Sequence, residues 1–230
     1  LRRHIHLEPR VQGLQPAAAS RRFPSYLAPA MTQLPELPLT LSRQEIRKMI
    51  RQRRRALTPE QQQEMGQQAA TRMMTYPPVV MAHTVAVFLS FDGELDTQPL
   101  IEQLWRAGKR VYLPVLHPFS AGNLLFLNYH PQSELVMNRL KIHEPKLDVR
   151  DVLPLSRLDV LITPLVAFDE YGQRLGMGGG FYDRTLQNWQ HYKMQPVGYA
   201  HDCQLVEKLP VEEWDIPLPA VVTPSKVWEW

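Results

Sequence analysis

Two uninterrupted apolar segments constrain the fold of this chain more than any other feature. Residues 84–90 read Thr-Val-Ala-Val-Phe-Leu-Ser, and residues 159–167 read Asp-Val-Leu-Ile-Thr-Pro-Leu-Val-Ala. Neither segment alternates between apolar and polar side chains, so each is typical of a strand that is buried on both faces of a parallel sheet. Pro164 lacks a backbone N–H, which indicates that the second strand ends there or lies at an edge.

Helix and strand patterns alternate along the rest of the chain. Helices are predicted to begin after Ser42, Thr58 and Thr97 and at about Phe181, the last of them reaching about Trp189. Further strands are predicted at residues 110–116, 123–129, 196–200 and 220–223. This alternation predicts an α/β fold with a mainly parallel sheet and helices on both faces. Ligands of such sheets bind beyond the carboxyl ends of the strands, where residues 90–94 and 176–180 are expected.

The first two helices carry explicit start signals. Ser42 and Glu45 have the spacing of a capping box, and the segment Thr-Pro-Glu-Gln at residues 58–61 places proline at the first helical position. Arg43 and Arg47 stand one helical turn apart, so they are expected to project from the same side of the first helix.

Composition limits the classes of function. The 230 residues suffice for one substantial core, and no apolar run approaches the roughly 20 residues of a membrane span. Cys203 is the single cysteine, which excludes an intrachain disulfide and a cysteine metal cluster and fits a reducing compartment. Residues 1–30 carry five Arg and one Glu, and residues 43–55 carry seven basic residues and one Glu. Subtracting these from 26 basic and 23 acidic residues leaves 14 against 21, so general nucleic-acid binding is not expected.

Residues 1–30 differ from the remainder of the chain. Four prolines and scattered arginines occur there without helical or strand periodicity, and Met31 stands just before the patterned sequence. Three interpretations compete: an extension upstream of the natural start at Met31, an Arg-rich organelle presequence, or a disordered arm. We favour the extension, with residues 31–230 as one domain. No apolar core followed by a small-residue cleavage site is present, so a cytoplasmic protein is expected.

A glycine-rich segment indicates anion binding. Residues 174–184 read Arg-Leu-Gly-Met-Gly-Gly-Gly-Phe-Tyr-Asp-Arg, with four of the chain's eleven glycines in five positions. Free N–H groups at the start of a helix favour negative charge, and Arg174 and Arg184 flank the run as possible phosphate partners. Asp183 could hold magnesium through water, and the combination suggests a nucleoside triphosphate. The alternative is a surface loop with an ordinary left-handed turn.

The sequence lacks the residues that several other kinds of functional site require. A dinucleotide site needs its glycines directly after the first strand, and a Walker loop needs Lys and Ser or Thr where Phe181 stands. The eight histidines show no metal-ligand spacing, and no Gly-x-Ser-x-Gly nucleophile elbow is present. A nucleotide loop of another kind remains.

The glycine-rich segment closely resembles the signature of the 5-formyltetrahydrofolate cyclo-ligases, also called methenyltetrahydrofolate synthetases. The resemblance extends from Ser42 to the C-terminal region and has no counterpart in residues 1–30. It is supported by Arg43 and Arg47, residues 88–94, residues 142–145 (Ile-His-Glu-Pro), and Asp169 with Gly172. The family often has Lys at the position of Arg43 and a basic residue where Met177 or Gly179 stands. We therefore expect this loop to hold phosphate through its backbone.

The resemblance implies an ATP- and magnesium-dependent C–N ligase that converts 5-formyltetrahydrofolate to 5,10-methenyltetrahydrofolate, with ADP and phosphate released. It also implies a fold similar to that of sugar-phosphate isomerases, and we expect a monomer. Catalysis is assigned to Arg174 and Tyr182, magnesium to Asp183 and Asp215, and folate binding to Leu89, Glu94 and Tyr182, with Glu94 on the polar edge of the pterin. The implied ATP-binding residues are Arg43, Gln44, Glu45, Ile46, Arg47, Arg174, Leu175, Gly176, Met177, Gly178, Gly179, Gly180, Phe181 and Tyr182.

Two alternatives remain at the level of sequence. A sugar-phosphate isomerase would need a base beside the phosphate site, for which Asp169 or His201 is available. A non-enzymatic protein could use the basic helix at residues 43–55 to bind RNA.

Overall fold

The computed structural model of the protein describes residues 41–230, so the predicted extension at residues 1–30 and the proposed start at Met31 lie outside the described residues. The helices are α1 Arg43–Arg55, α2 Pro59–Thr75, α3 Pro77–Met81, α4 Gln98–Arg106 and α5 Phe181–Leu186. The strands are β1 Thr84–Ala86, β2 Arg110–Leu116, β3 Leu124–Tyr129, β4 Leu135–Met137, β5 His143–Pro145, β6 Val152–Leu153, β7 Val160–Thr163, β8 Ala167–Asp169, β9 Arg174–Leu175, β10 Gln195–Tyr199, β11 Leu205–Val206, β12 Ala220–Val222 and β13 Val227–Glu229. Within the described range, every helix is too short or too polar to cross a membrane.

The predicted helix starts are confirmed in detail. The Ser42 hydroxyl accepts a hydrogen bond from the Glu45 N–H at 3.1 Å, and the Glu45 carboxylate accepts one from the Ser42 N–H at 3.2 Å. Thr58 and Gln61 form the same reciprocal pair at the start of α2. The helix predicted to reach Trp189 ends at Leu186, because Gln187 leaves the helical conformation with ψ 126° and Asn188 then adopts a left-handed conformation with φ +59°.

The main sheet has eight strands in the order β13-β12-β10-β7-β1-β2-β3-β6. The five strands from β12 to β2 are parallel to their neighbours, whereas β13, β3 and β6 pair antiparallel at the two edges. Short connections join β2 to β3 and β12 to β13, and a short connection permits only antiparallel pairing. The predicted α/β fold with a mainly parallel sheet is therefore confirmed.

Both faces of this sheet are covered by apolar packing. Side chains of successive strand residues point to opposite faces, so Val85 and Ile162 pack in one buried cluster with residues of α2 and α4. Ala86 and Leu161 belong to a second cluster, which contains Leu186 of α5. Helices thus lie on both faces, as the sequence predicted.

A three-stranded sheet of order β11-β8-β9 carries the glycine segment. The apolar run at residues 159–167 divides between the two sheets, since β7 ends before Pro164 and β8 begins three residues later. Ile46 and Ile50 of α1 pack against Leu175 of β9 in a buried cluster. This packing places one side of α1 directly beside the glycine segment.

Candidate active site

The glycine loop, residues 176–180, connects β9 to α5. Gly178 and Gly180 have φ values of +108° and +71°, which side-chain-bearing residues rarely adopt. Two arginines hold the loop by its carbonyl groups, because Arg47 Nε donates to the Gly176 oxygen at 2.7 Å and Arg184 Nη2 donates to the Gly179 oxygen at 2.5 Å. In residues 41–230, no acceptor receives a hydrogen bond from the N–H groups of the loop. These amides are available to an anion.

Positive charge accumulates beside the loop. The Arg47 side chain is buried, with 6% of the residue exposed, and its pKa is lowered by burial and then by the neighbouring charges of Arg43 and Arg51. A guanidinium that lacks water and faces other cations gains stability when an anion binds next to it. The electrostatics of α1 therefore favour an anionic ligand at this end.

Two ion pairs engage the carboxylates that were predicted to bind magnesium. Arg174 Nη2 contacts Asp183 Oδ1 at 2.9 Å, and Arg174 Nη1 donates to the Pro164 carbonyl oxygen at 3.2 Å. Arg43 holds Asp215 with two hydrogen bonds, of 2.6 and 3.1 Å. Asp215 Oδ2 also accepts a bond from the Glu212 N–H. Both oxygens of Asp215 are thus occupied, whereas no described donor contacts Asp183 Oδ2.

Glu94 and Tyr182 are close enough in the site for the charge of Glu94 to act on the Tyr182 hydroxyl. Burial raises the pKa of Glu94 to about 7, against the lowering effects of the Phe91 N–H, which donates to Glu94 Oε1 at 3.1 Å, and of the Arg54 charge. The Tyr182 hydroxyl is buried and has no hydrogen-bond partner in the described part of the chain. Burial and the charge of Glu94 both raise the pKa of Tyr182. A buried hydroxyl without a partner indicates a place for a polar ligand atom.

A cavity of about 580 Å³ unites these groups, and its volume is that of a site for a cofactor-sized ligand. Most of the residues predicted from sequence line it: Arg43, Gln44, Arg47, Leu89, Glu94, Arg174, Gly176, Met177, Gly178, Gly179, Gly180, Phe181, Tyr182 and Asp183. Four predicted residues have other places in the fold. Glu45 closes the capping box of α1, and Ile46 and Leu175 are buried in the cluster between α1 and β9. Asp215 forms an ion pair with Arg43.

The sequence analysis did not assign one wall of the cavity. The β4–β5 hairpin contributes Leu140, Ile142 and Glu144, and the segment before Asp215 contributes the exposed Trp214. Glu144 Oε2 fixes this hairpin to the sheet. It accepts a hydrogen bond from the Leu116 N–H at 3.1 Å and one from the Asn138 side-chain amide at 3.0 Å. The segment Ile-His-Glu-Pro at residues 142–145 supported the family resemblance, but local sequence contained no signal for its position at the cavity.

Few acidic side chains of the site are placed to bind magnesium. Residues 41–230 contain no group of three or more His, Cys, Asp or Glu side chains arranged to hold a metal ion. Magnesium in nucleotide enzymes commonly uses one or two carboxylates and completes its shell with water and phosphate oxygens. Asp183, with one oxygen unengaged and its side chain at the cavity, fits this role, whereas Asp215 fits only if Arg43 releases it.

Comparison with known proteins agrees with this geometry. A profile of the 5-formyltetrahydrofolate cyclo-ligase family matches residues 40–224. The 5-formyltetrahydrofolate cyclo-ligase of Haemophilus influenzae is 53% identical over 179 residues, which cover 78% of this chain and 96% of that protein. The protein of the same name from Mycolicibacterium smegmatis is 31% identical, with 80% of this chain and 95% of that protein covered.

A solved structure supports the same relationship. The NMR structure of 5,10-methenyltetrahydrofolate synthetase from Aquifex aeolicus superposes with a TM-score of 0.71 at 28% identity, covering 82% of this chain and 93% of that one. The profile match spans most of the chain and includes both the arginines of α1 and the complete glycine loop. The chain therefore belongs to the 5-formyltetrahydrofolate cyclo-ligase family of enzymes.

Proposed function

We propose that this protein uses ATP and magnesium to close 5-formyltetrahydrofolate to 5,10-methenyltetrahydrofolate, and that it acts as a cytoplasmic monomer. The observation that carries the proposal is the single cavity, which joins the cationic glycine loop to the wall that contains Glu94 and Tyr182. One end thus suits a polyphosphate and the other a ring with a polar edge. Two substrates that must react with each other can meet there.

The phosphate end is formed by the amides of residues 176–180 together with Arg47. Arg47 and Arg184 hold the loop carbonyl groups, so the peptide dipoles of Gly176 and Gly179 are fixed before a ligand arrives. Met177 supplies no charge, which agrees with binding by the backbone. Arg43 and Arg174 add positive charge from either side, each with a carboxylate partner that limits its mobility. We assign the triphosphate of ATP to this end.

The folate end is formed by apolar side chains around two polar groups. Phe88, Leu89 and Leu113 line the cavity near Glu94, and they can cover the faces of a flat ring. An ionised Glu94 accepts hydrogen bonds from the N–H groups on the polar edge of a pterin. The unpartnered Tyr182 hydroxyl completes this end as a donor or acceptor, in addition to the ring stacking expected from sequence.

The chemistry requires activation of a poor leaving group. The formyl oxygen attacks the γ-phosphorus of ATP, and the bond to ADP breaks. N10 of the folate then attacks the activated formyl carbon, the oxygen departs within phosphate, and N10 loses its proton. Positive charge from Arg47 and Arg174 stabilises the transferring phosphoryl group, while the cavity holds N10 near the carbon.

Asp183 is the residue that we assign to magnesium. Bound magnesium would neutralise charge on the phosphate oxygens. Asp183 Oδ2 is free of described donors, and Arg174 orients the carboxylate through Oδ1 at 2.9 Å. Asp215 as a second ligand remains a prediction, and it requires the two hydrogen bonds from Arg43 to be exchanged.

Neither of the two bases named for the isomerase alternative lies at the cavity. Asp169 is fully buried, and its oxygens accept hydrogen bonds from the N–H groups of Tyr171, Gln173 and Leu209. His201 is also fully buried, contacts the Gly93 carbonyl oxygen through Nε2, and has its pKa lowered to about 4 mainly by burial. The resemblance of the fold to sugar-phosphate isomerases remains a prediction.

Part of the positive charge that RNA binding through α1 would need is paired with an acidic residue or buried. Three of the arginines at the end of α1, Arg51, Arg54 and Arg55, surround Asp92 at distances from 2.6 to 3.9 Å. Arg54 is buried and therefore cannot contact a nucleic acid. We do not expect binding of RNA through this helix.

The test is a turnover assay on the purified protein. Mixing it with 5-formyltetrahydrofolate and MgATP should increase the absorbance of methenyltetrahydrofolate, and omission of ATP or chelation of magnesium should abolish the increase. An Arg47→Met variant should raise the KM for ATP. Product formation at an equal rate without ATP would refute the proposal.

A further inference from the structure

Helix α1 contacts both the cavity and the loop that precedes Glu94. Arg43, Gln44 and Arg47 in its first half line the phosphate end. The arginines of its second half contact the loop that precedes Glu94. The proposed function uses only the first half, so the buried charges of the second half have no role in it.

The loop before Glu94 has a constrained backbone that rests on α1. Asp92 and Gly93 both adopt positive φ, +52° and +75°. A Cβ atom at Gly93 would lie 3.2 Å from Arg54 Cβ and 3.3 Å from Arg54 C, so the turn touches the helix directly. The Gly93 carbonyl oxygen also contacts Gln62 Nε2 and His201 Nε2, each at 3.1 Å. The turn is therefore held from three sides.

Arg54 lies behind this turn, where it faces two carboxylates. Its side chain is 3% exposed, and Nη2 lies 3.7 Å from Asp92 Oδ2. Its Nε is buried and has no hydrogen-bond partner among the described residues. Burial lowers the pKa of Arg54, and the charges of Glu94 and Asp92 act against this lowering, so the Arg54 charge acts on both carboxylates. A buried cation with an incomplete set of hydrogen bonds is costly, which indicates a role beyond packing.

We propose that Arg54 and Asp92 are positioning residues for folate binding, in which Asp92 orders the turn that carries Glu94 and Arg54 keeps Glu94 ionised. Asp92 orders the turn through its ion pairs with Arg51, Arg54 and Arg55, and the buried Arg54 guanidinium supplies positive charge that favours the ionised form of Glu94. The same helix thus fixes the phosphate site at one end and the folate-binding carboxylate at the other. This inference rests on the proposed function, because it assumes that Glu94 contacts the pterin.

The proposal makes folate binding depend on pH. Glu94 is faced by Arg54 from α1, by Asp92 from its own loop and by Tyr182 from α5, while His201 contacts the backbone of the turn. Among these groups, Arg54 lowers the pKa of Glu94, and Asp92 raises it. Removal of the Arg54 charge should therefore leave Glu94 protonated up to a higher pH.

The test is the dissociation constant of 5-formyltetrahydrofolate, measured by calorimetry from pH 5.5 to 9 on the whole protein. For Arg54→Gln, we expect the pH below which folate binding weakens to rise by about one unit. Because half of Glu94 is ionised at about pH 7 in the parent protein, this shift weakens binding about fivefold at pH 7 and little at pH 9. Arg54→Lys should restore the parent profile, and the dissociation constant of MgATP should stay unchanged.

Arg53→Gln is the matched control, since it removes the same charge from the adjacent position, where the side chain contacts Met49 Sδ. If Arg54→Gln unfolds, Asp92→Asn keeps the proposal testable, because Asn also tolerates positive φ. It should weaken folate binding at pH 9, where Glu94 is ionised in both proteins and only the order of the turn differs, without changing the affinity for MgATP. The pH below which folate binding weakens should not rise, because removal of the Asp92 charge lowers the pKa of Glu94. Variants at Arg54 and Asp92 that bind folate like Arg53→Gln would overturn the inference. A parent protein that neither binds nor converts 5-formyltetrahydrofolate would instead refute the proposed function, and this inference with it.

Discussion

Replacement of Glu94 by glutamine should stabilise the protein at alkaline pH while it weakens folate binding. The pKa of Glu94 is raised from 4.5 to about 7, mainly by burial. A carboxyl group with a higher pKa in the folded state makes unfolding easier as the pH rises between these two values. The shift corresponds to a cost of about 3 kcal/mol at pH 8 and of less than about 1 kcal/mol at pH 5. Glutamine keeps the acceptor for the Phe91 N–H and removes the charge.

The free energy of unfolding should be measured by urea titration at pH 5, 6, 7 and 8. Glu94→Gln should gain about 2 to 3 kcal/mol over the parent protein as the pH rises from 5 to 8. Glu207→Gln, at an exposed position, is the control and should show no such gain. Equal stability of Glu94→Gln and the parent protein at pH 8, with the same dependence on pH, would refute the account of this carboxylate.

Two further predictions concern the glycine loop and Asp183, and a third concerns Cys203. Asp183→Asn should reduce magnesium-dependent turnover by about 100-fold with folate affinity retained, and an equal loss of folate affinity would place the metal elsewhere. Gly180→Ala introduces a Cβ atom 2.7 Å from Arg184 Nη1 at φ +71°, so it should lower stability by more than about 1 kcal/mol and raise the KM for ATP. Gly108→Ala has the same strain at φ +75° but open space around it, so a loss of activity equal to that of Gly180→Ala would contradict the role of the loop. Burial raises the pKa of the Cys203 thiol to about 11, so native protein should react with iodoacetamide at pH 8 far more slowly than unfolded protein does.

Local signals predicted the parts of the fold that depend on neighbouring residues. The capping boxes at Ser42 and Thr58 are reproduced atom by atom, and β2 occupies the predicted residues 110–116. The transfer of β8 to a second sheet could not be read from the apolar run at residues 159–167, because partner choice depends on contacts distant in sequence. The antiparallel direction of β3 was not predicted, although the short connection from β2, visible in the sequence, permits only that pairing.

For the candidate site too, some features were predicted from sequence and others were not. Arg47, Glu94 and Tyr182 were named from sequence and lie at one cavity. Only Glu94 follows a strand of the main sheet, whereas Arg47 lies on α1 and Tyr182 follows β9 of the second sheet, so the family motif predicted their meeting and the strand order did not. The partner of Asp215 was not foreseen, since Arg43 lies 172 positions away along the chain. The burial of Arg54 was not predicted, because a run of like charges on a helix gives no sign of which member is buried.

The central claim is that ATP phosphorylates the formyl oxygen within the cavity that joins the glycine loop to Glu94. The most direct measurement uses 5-formyltetrahydrofolate labelled with ¹⁸O in the formyl group, converted by the protein with MgATP and analysed by mass spectrometry. One atom of label should appear in each phosphate released, together with one ADP for each methenyltetrahydrofolate formed. Label found in water, with unlabelled phosphate, would contradict phosphorylation of the formyl oxygen.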